Sequence, residues 1–223
     1  MITQTCATTI LKTIRGRISM PELVTTNHDP FETLIETIIS QNTADTNTQR
    51  AFENLSNNFE IIPRALANAE LNKIEACLHV GGLYKCKAKT IKTVSKILVN
   101  KFHGTVKPIL SLPFEEARKT LLEMPGVGPK TADVVLLFSA NKPTIPVDTH
   151  VNRVSKRLGL APVNGSYEDV RLRLMSLFEP KDYFAVHLLL IVHGRKTCKA
   201  RQPLCPQCPV NTYCPSNTLG EKA

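Results

Sequence analysis

Apolar residues return along this chain at helical intervals. Phe31, Leu34, Ile35, Ile38 and Ile39 share one face of residues 31–39, the i, i+3, i+4 spacing of an amphipathic helix. The polar run SQNTADTNTQ follows, and Ala51, Phe52 and Leu55 then predict a second helix. Ile91, Val94, Leu98 and Phe102 form a stripe beneath six lysines between Lys85 and Lys101, where no acidic residue occurs. That pattern predicts an amphipathic helix with a strongly basic outer face. A helix is expected over 113–123, with Pro113 in its first turn. TADVVLLFSA at 131–140 reads as a buried helix. Val147, Val151, Val154 and Leu158 recur behind Asp148, and Gly159 is the expected C-terminal cap. SYEDVRLRLMSLF and FAVHLLLIVHG predict two further helices. Near the N-terminus, Ile10, Ile14 and Ile18 stripe a first helix. That stretch also carries Lys12, Arg15 and Arg17 without an acidic residue, so a transit peptide is the competing reading. Strand-like alternation is nearly absent and no fixed-period repeat is present, so the fold class is all-α. The last twenty residues, rich in proline and cysteine, are expected to be loop.

Composition changes this picture in one respect. The 223 residues, 42% of them hydrophobic, suit one large or two small domains. The formal net charge of +9, however, points to a polyanionic partner, either nucleic acid or an acidic membrane surface. No stretch approaches the roughly 20 apolar residues that span a bilayer. No secretory signal is evident, so the expectation is a cytoplasmic, nucleoid-associated protein if the source is prokaryotic, with no membrane partner. Tryptophan is absent and aromatics make up 5% of the chain. Stacking platforms for single strands are therefore not evident, and duplex is the better partner.

Two local patterns carry candidate chemistry. The first is LLEMPGVGPKTADV at 121–134. Gly126 and Gly128 permit positive φ or close backbone approach, and Pro125 helps to end the first helix. The result should be two helices joined by a tight turn. The N–H groups at that turn and at the second helix start favour an anion such as a phosphate; the bland alternative is a plain helical corner. The second pattern is C-x6-C-x2-C-x5-C, formed by Cys198, Cys205, Cys208 and Cys214. Four clustered thiolates suit zinc or an iron–sulfur cluster, and spacing alone does not choose between them. Arg195, Lys196, Lys199 and Arg201 surround the first cysteine. Cys6, Cys77 and Cys86 are scattered and read as ordinary thiols. Asp148 stands where a helix N-cap belongs.

MPGVGPKTADVVL, followed by PTIPVDTHVNRVSKRLG, closely resembles the endonuclease III family of helix-hairpin-helix (HhH-GPD) DNA glycosylases. The resemblance extends from PFETLIETIISQNT through GLYKCKA to HGRKTCKARQPLCPQCPVNTYC. It implies that Lys130 is the catalytic lysine and Asp148 the catalytic aspartate. Such a lysine attacks C1′ of a nucleotide, displaces the base and leaves a Schiff base, after which β-elimination cuts the strand. The amine must be neutral, and a helix N-terminus on a basic surface disfavours the ammonium. The carboxylate either takes its proton or stabilises charge on the sugar. The resemblance further implies a 4Fe–4S cluster on Cys198, Cys205, Cys208 and Cys214, with Lys199 and Arg201 presented to phosphates, and a monovalent cation at the hairpin. Hairpin contacts to DNA are expected from Met124, Gly126, Val127, Gly128 and Thr131, and further contacts from His150 and Arg153. His193 is expected to be structural. Met124 replaces the family's usual leucine, a volume-conserving swap, and Pro129 stands where the family often has a basic residue.

A glycosylase must take its target base out of the stack, and the family fills the gap with a glutamine and a leucine. Leu83 matches the leucine, an ordinary core leucine being the alternative. Aligned through Ser40 and Asp45, the glutamine position falls on Asn42 rather than Gln41, so both are candidates. The resemblance implies two helical lobes. Residues 24–142 would form a helical barrel containing the hairpin at about 113–140. Residues 1–23 with 143–223 would form a cluster domain whose loop is 198–214. The expected function is excision of oxidised pyrimidines from damaged double-stranded DNA, coupled to β-lyase cleavage, by a monomer. The alternatives are a glycosylase for mismatched uracil or thymine or another damaged base, and a non-catalytic DNA-binding module held by zinc.

Overall fold

The computed structural model describes residues 2–18 and 29–217. Among these residues only α- and 3₁₀-helices form, and no strand. The α-helices are α1 (Gln4–Arg15), α2 (Pro30–Ser40), α3 (Asp45–Asn58), α4 (Pro63–Asn68), α5 (Leu71–Leu78), α6 (Tyr84–Lys101), α7 (Lys107–Ser111), α8 (Phe114–Leu122), α9 (Pro129–Ala140), α10 (Thr149–Arg157), α11 (Tyr167–Leu177) and α12 (Tyr183–Lys196). None of them is long and apolar enough to cross a membrane. Contacts divide the chain into two compact units, Thr25–Lys142 and Met1–Val24 with Pro143–Ala223. The domain boundary expected near residue 24 lies outside the described residues.

In the unit of Thr25–Lys142, α2 and α9 pack against each other at the centre. Helix α2 buries Phe31, Leu34, Ile35, Thr37, Ile38 and Ile39, and α9 buries every residue from Thr131 to Leu137. Helices apolar over more than one stripe belong in a core. Each buried Ile or Leu contributes about 1.5–3 kcal/mol, so these two helices supply a substantial share of the unit's core. Helix α2 is started by Asp29, whose Oδ1 accepts from the Phe31 N–H at 2.8 Å, with Pro30 at the first helical position. Pro129 opens α9 in the same way.

Helix α6 buries Ile91, Val94 and Leu98 as its stripe predicts, but its lysines divide. Lys85, Lys89, Lys96 and Lys101 are exposed. Lys92 donates to the Ala69 carbonyl, and Lys87 turns inward and is 4% exposed. The basic face is therefore narrower than the sequence predicts. Pro113 is the cap before α8 rather than a residue of its first turn, and its carbonyl accepts from the Ala117 N–H at 2.9 Å.

In the other unit, α1 packs on α11 and α12, and α10 packs on the same two helices. Helix α1 buries Ala7, Ile10 and Ile14 and ends at Arg15, so Ile18 lies beyond it rather than on its stripe. Gly194 permits a close crossing of α10 and α12, because a Cβ there would lie 3.0 Å from His150 Cβ and 3.1 Å from Val154 Cγ2. Gly159 follows the cap residue Leu158 with φ 70°. Its N–H reaches the Lys156 carbonyl while that of Leu160 reaches Ser155, a Schellman closure. The cysteine-rich tail is loop interrupted by short 3₁₀ turns at Cys205–Gln207 and Asn211–Tyr213.

One buried ion pair fixes the hairpin helices. Arg118 of α8 donates from Nε to Asp133 Oδ1 at 2.8 Å and from Nη2 to Oδ2 at 3.2 Å, with the Asp133 side chain wholly buried. Removing one partner strands a buried charge. Arg118→Met should destabilise the protein by about 3–5 kcal/mol in urea unfolding, and adding Asp133→Leu should recover much of that loss.

Candidate active site

The motif at 124–130 folds as a turn between α8 and α9. The Val127 N–H donates to the Met124 carbonyl at 3.1 Å. Pro125 and Gly126 occupy the central positions, and Gly126 has φ 77°, which is the geometry of a type II turn. Glycine is required there twice over. Its φ is left-handed, and a Cβ would lie 2.5 Å from Thr90 Cγ2 of α6. Gly128 differs from the expectation. Its φ is −89° and nothing lies within 4 Å of a Cβ placed on it, so it has ordinary backbone with open space beside it. As N-cap of α9 it offers no side chain to the first-turn donors, and Pro129 has no N–H.

Lys130 is the second residue of α9 and is half-buried. Thr131, Met124 and Val127 are only 2%, 3% and 4% exposed. Their side chains belong to the core, so any contact from these three to DNA comes from the main chain. Gln41, at the end of α2, braces the turn: its Nε2 donates to the Gly126 carbonyl at 3.1 Å and to Thr131 Oγ1 at 3.2 Å. Asn42 is exposed instead, with φ 52°. Leu83 is 62% exposed with φ 49°, which excludes the core-leucine alternative. A left-handed conformation costs a non-glycine residue about 1–2 kcal/mol, least for asparagine. The loops bearing Asn42 and Leu83 lie side by side, joined by the Thr43 hydroxyl donating to the Gly81 carbonyl.

In the other unit, Asp148 is half-buried and caps α10, its Oδ1 accepting from the Val151 N–H at 2.7 Å. The segment before it is anchored by His187, which is buried and donates from Nδ1 to the Pro146 carbonyl at 2.9 Å. His150 is half-buried, with Nδ1 3.2 Å from Arg153 Nη2. Arg153, for which a DNA contact is expected, is engaged within the protein. It donates from Nε to the Cys198 carbonyl at 3.1 Å and from Nη2 to the Gly194 carbonyl at 2.9 Å, so it braces the cysteine loop. Arg157 does the same, reaching the Lys199 carbonyl at 2.7 Å, the Ala200 carbonyl at 3.1 Å and Cys198 Sγ at 3.5 Å. Lys199 and Arg201 are exposed on that loop.

Cys198, Cys205, Cys208 and Cys214 line one cavity of about 150 Å³. Among the described residues, no three His, Cys, Asp or Glu side chains converge on a position for one metal ion. Burial, and then the other thiols of the group, push the Cys208 and Cys214 thiols above the usual range. Four thiolates crowded around one cavity need a positive centre to balance their charge. His193 is 1% exposed and lies beside them, Nε2 being 3.8 Å from Cys208 Sγ. Burial pushes its pKa down to about 4, so it is a neutral, core imidazole at physiological pH.

The brace by Gln41, the inward turn of Lys87 and the two arginine clasps are contacts that sequence reasoning missed. Nothing in local spacing marks them, since each joins residues far apart in the chain.

The glycines of the turn should respond differently to substitution. Gly126→Ala should cost more than about 2 kcal/mol in urea unfolding, through strain and overlap with Thr90. Adding Thr90→Ala should return part of it, whereas Gly128→Ala should cost under about 1 kcal/mol.

Comparison with known proteins places these features in a family. The family model for the HhH-GPD superfamily base excision DNA repair protein matches residues 35–180. Endonuclease III of Sulfolobus acidocaldarius is 36% identical over 185 residues, covering 82% of this chain and 81% of that protein. Endonuclease III of Thermotoga maritima is 36% identical over 188 residues, covering 83% of each. Among solved structures, a trapped endonuclease III–DNA covalent intermediate, the estranged-adenine complex, superposes with a TM-score of 0.85 at 32% identity, covering 97% of this chain and 98% of that one.

Proposed function

The chain belongs to the endonuclease III family of the HhH-GPD superfamily, and from that premise we propose that it is a bifunctional DNA glycosylase and AP lyase. It removes oxidised pyrimidines from duplex DNA in base excision repair. The observation that carries this reading is Lys130 in the first turn of α9, directly behind the Gly126 turn.

The chemistry follows from the residue types. The Lys130 amine attacks C1′, the C1′–N bond breaks and the base departs with the electron pair. Nitrogen then loses a proton, its lone pair breaks the C1′–O4′ bond, and O4′ takes up a proton as the sugar ring opens to the imine. The imine acidifies C2′, and loss of that proton expels the 3′ phosphate by β-elimination. Asp148 supplies the carboxylate that this sequence needs, for the lysine's proton or for positive charge on the sugar. The uncapped start of α9 and the open space beside Gly128 suit a backbone phosphate, and the exposed Lys199 and Arg201 would supply cations for others. Asn42 and Leu83 are the exposed tips that would enter the duplex when the base leaves the stack.

The unit of Thr25–Lys142 acts as the helical barrel with the hairpin, and the remainder as the cluster domain. The four cysteines fit the 4Fe–4S cluster that membership of this family implies. They line one cavity, and an all-thiol set suits iron–sulfur chemistry. Held by these four cysteines, a cluster would supply positive charge for the thiolates and tie down the basic loop; it enters no step above. Asn42, standing where the family has glutamine, favours a second reading of lesion choice, namely mismatched uracil or thymine.

Borohydride trapping tests the assignment. Duplexes carrying thymine glycol or an abasic site should both be trapped by the native chain, and Lys130→Ala should abolish trapping on each. Trapping on the abasic site alone keeps the lyase and supports the second reading. No trapping on either by folded protein refutes the Schiff base. The cluster is checked by colour and metal content. Purified protein should be brown with broad visible absorption that Cys205→Ser removes, and colourless, zinc-loaded protein would refute the iron.

A further inference from the structure

The most completely buried ammonium in the unit of Thr25–Lys142 has no carboxylate among its hydrogen-bond partners. Lys87 is 4% exposed, and its Nζ donates to the Ile39 carbonyl at 2.7 Å, to Thr43 Oγ1 and to the Gly81 carbonyl at 3.0 Å. An ammonium has three donors, and here each has an oxygen. Two of these oxygens end helical segments. Ile39 is the penultimate residue of α2, and Gly81 ends the 3₁₀ turn His79–Gly81. Carbonyls at helix ends lack intrahelical partners and carry the negative pole. The third oxygen, the Thr43 hydroxyl, accepts from Lys87 while donating to Gly81. One lysine thus ties together the two chain segments that leave those helix ends.

What those segments carry makes the tie informative. The first passes through Asn42 at φ 52° between Ile39 and Thr43. The second runs from Gly81 into Gly82 at φ 64° and Leu83 at φ 49°, two successive left-handed residues. Such conformations persist only where surrounding bonds over-determine them. Lys87 also holds the second tip through its main chain, its N–H donating to the Leu83 carbonyl at 3.1 Å. Side chain and backbone of one residue therefore grip both loops. Neither tip can withdraw without breaking buried, charge-assisted bonds, which are among the stronger hydrogen bonds.

We propose that Lys87 is a positioning residue that locks Asn42 and Leu83 into one rigid two-pronged wedge, so that the two prongs enter the duplex as a unit. This rests on the functional reading above. It assigns Lys87 a role in reading double-stranded DNA and none in bond making at Lys130.

The test is the ratio of borohydride trapping rates on duplex and single-stranded abasic DNA, because a wedge is needed only where a stack must be opened. Lys87→Met keeps the length of the side chain and removes the ammonium. It should lower the duplex-to-single-strand ratio about tenfold or more. Asn42→Ala and Leu83→Ala supply a second readout. In the native chain the double variant should trap duplex little more slowly than the worse single variant, as members of one unit do. In the Lys87→Met chain the two losses should multiply. Should Lys87→Met fail to fold, Thr43→Val removes only the bridging hydroxyl and should lower the same ratio. A ratio within about twofold of native in folded variants, or prongs whose losses multiply in the native chain, overturns the wedge. Native protein that traps neither substrate sinks the functional reading itself, and this inference with it.

Discussion

A helix buried on every side from Thr131 to Leu137 can meet solvent only at its ends, and Lys130 stands at the first of them. The position of that amine is a consequence of core packing. Helix α9 lies against α2, and its rotation is fixed by Asp133, whose buried carboxylate must face Arg118 of α8. Three residues separate Asp133 from Lys130, close to one helical turn, so the register that satisfies the ion pair also sets the direction of the lysine. The turn that delivers the chain to α9 is held from two further sides, by Thr90 beneath Gly126 and by Gln41 on its carbonyl. A reactive amine needs a rigid base, and here the base is an apolar core with one ion pair inside it.

The chain's positive charge divides by task. A formal charge of +9 suggests a polyanion, yet several of the cations are engaged within the protein. Lys87 neutralises helix-end carbonyls, Arg118 pairs with Asp133, and Arg153 and Arg157 clasp the carbonyls of the cysteine loop. Those loop carbonyls and the thiols beside them would otherwise concentrate negative polarity with no compensation. The cations left exposed, such as Lys85, Lys89, Lys199 and Arg201, are the ones available for phosphate. Net charge is thus a fair guide to the class of partner and a poor guide to which residues meet it.

The same division explains what the sequence discloses. Helices α2, α9 and α10 are legible because their apolar spacing is local, and the MPGVGPK turn and the cysteine spacing are legible because each is a short motif with a specific chemistry. The inward turn of Lys87 is not legible. Hydrophobic patterning counts every lysine as solvent-facing, and three acceptors brought together from Ile39, Thr43 and Gly81 leave no trace in spacing. Arg153 reads as a DNA contact for a related reason, since it follows the catalytic-type motif and only the fold shows the carbonyls of Gly194 and Cys198 in front of it. Gly128 was equally opaque: a glycine permits a left-handed φ, but only the turn geometry decides that Gly126 uses it and Gly128 does not.

Gln41 and Asn42 show how backbone conformation separates two neighbours that alignment leaves as equal candidates. Only one of two adjacent residues can point into the hairpin while the other stands at the loop tip. Glutamine has the longer reach, and it spans from the end of α2 to both the Gly126 carbonyl and Thr131 Oγ1. The tip demands a left-handed φ, which asparagine adopts more readily than glutamine. Exchanging the two residues would leave the brace too short and the tip strained. Their order in the chain is therefore the one the geometry requires, with Gln41 supporting the turn behind Lys130 and Asn42 paired with Leu83 at the surface.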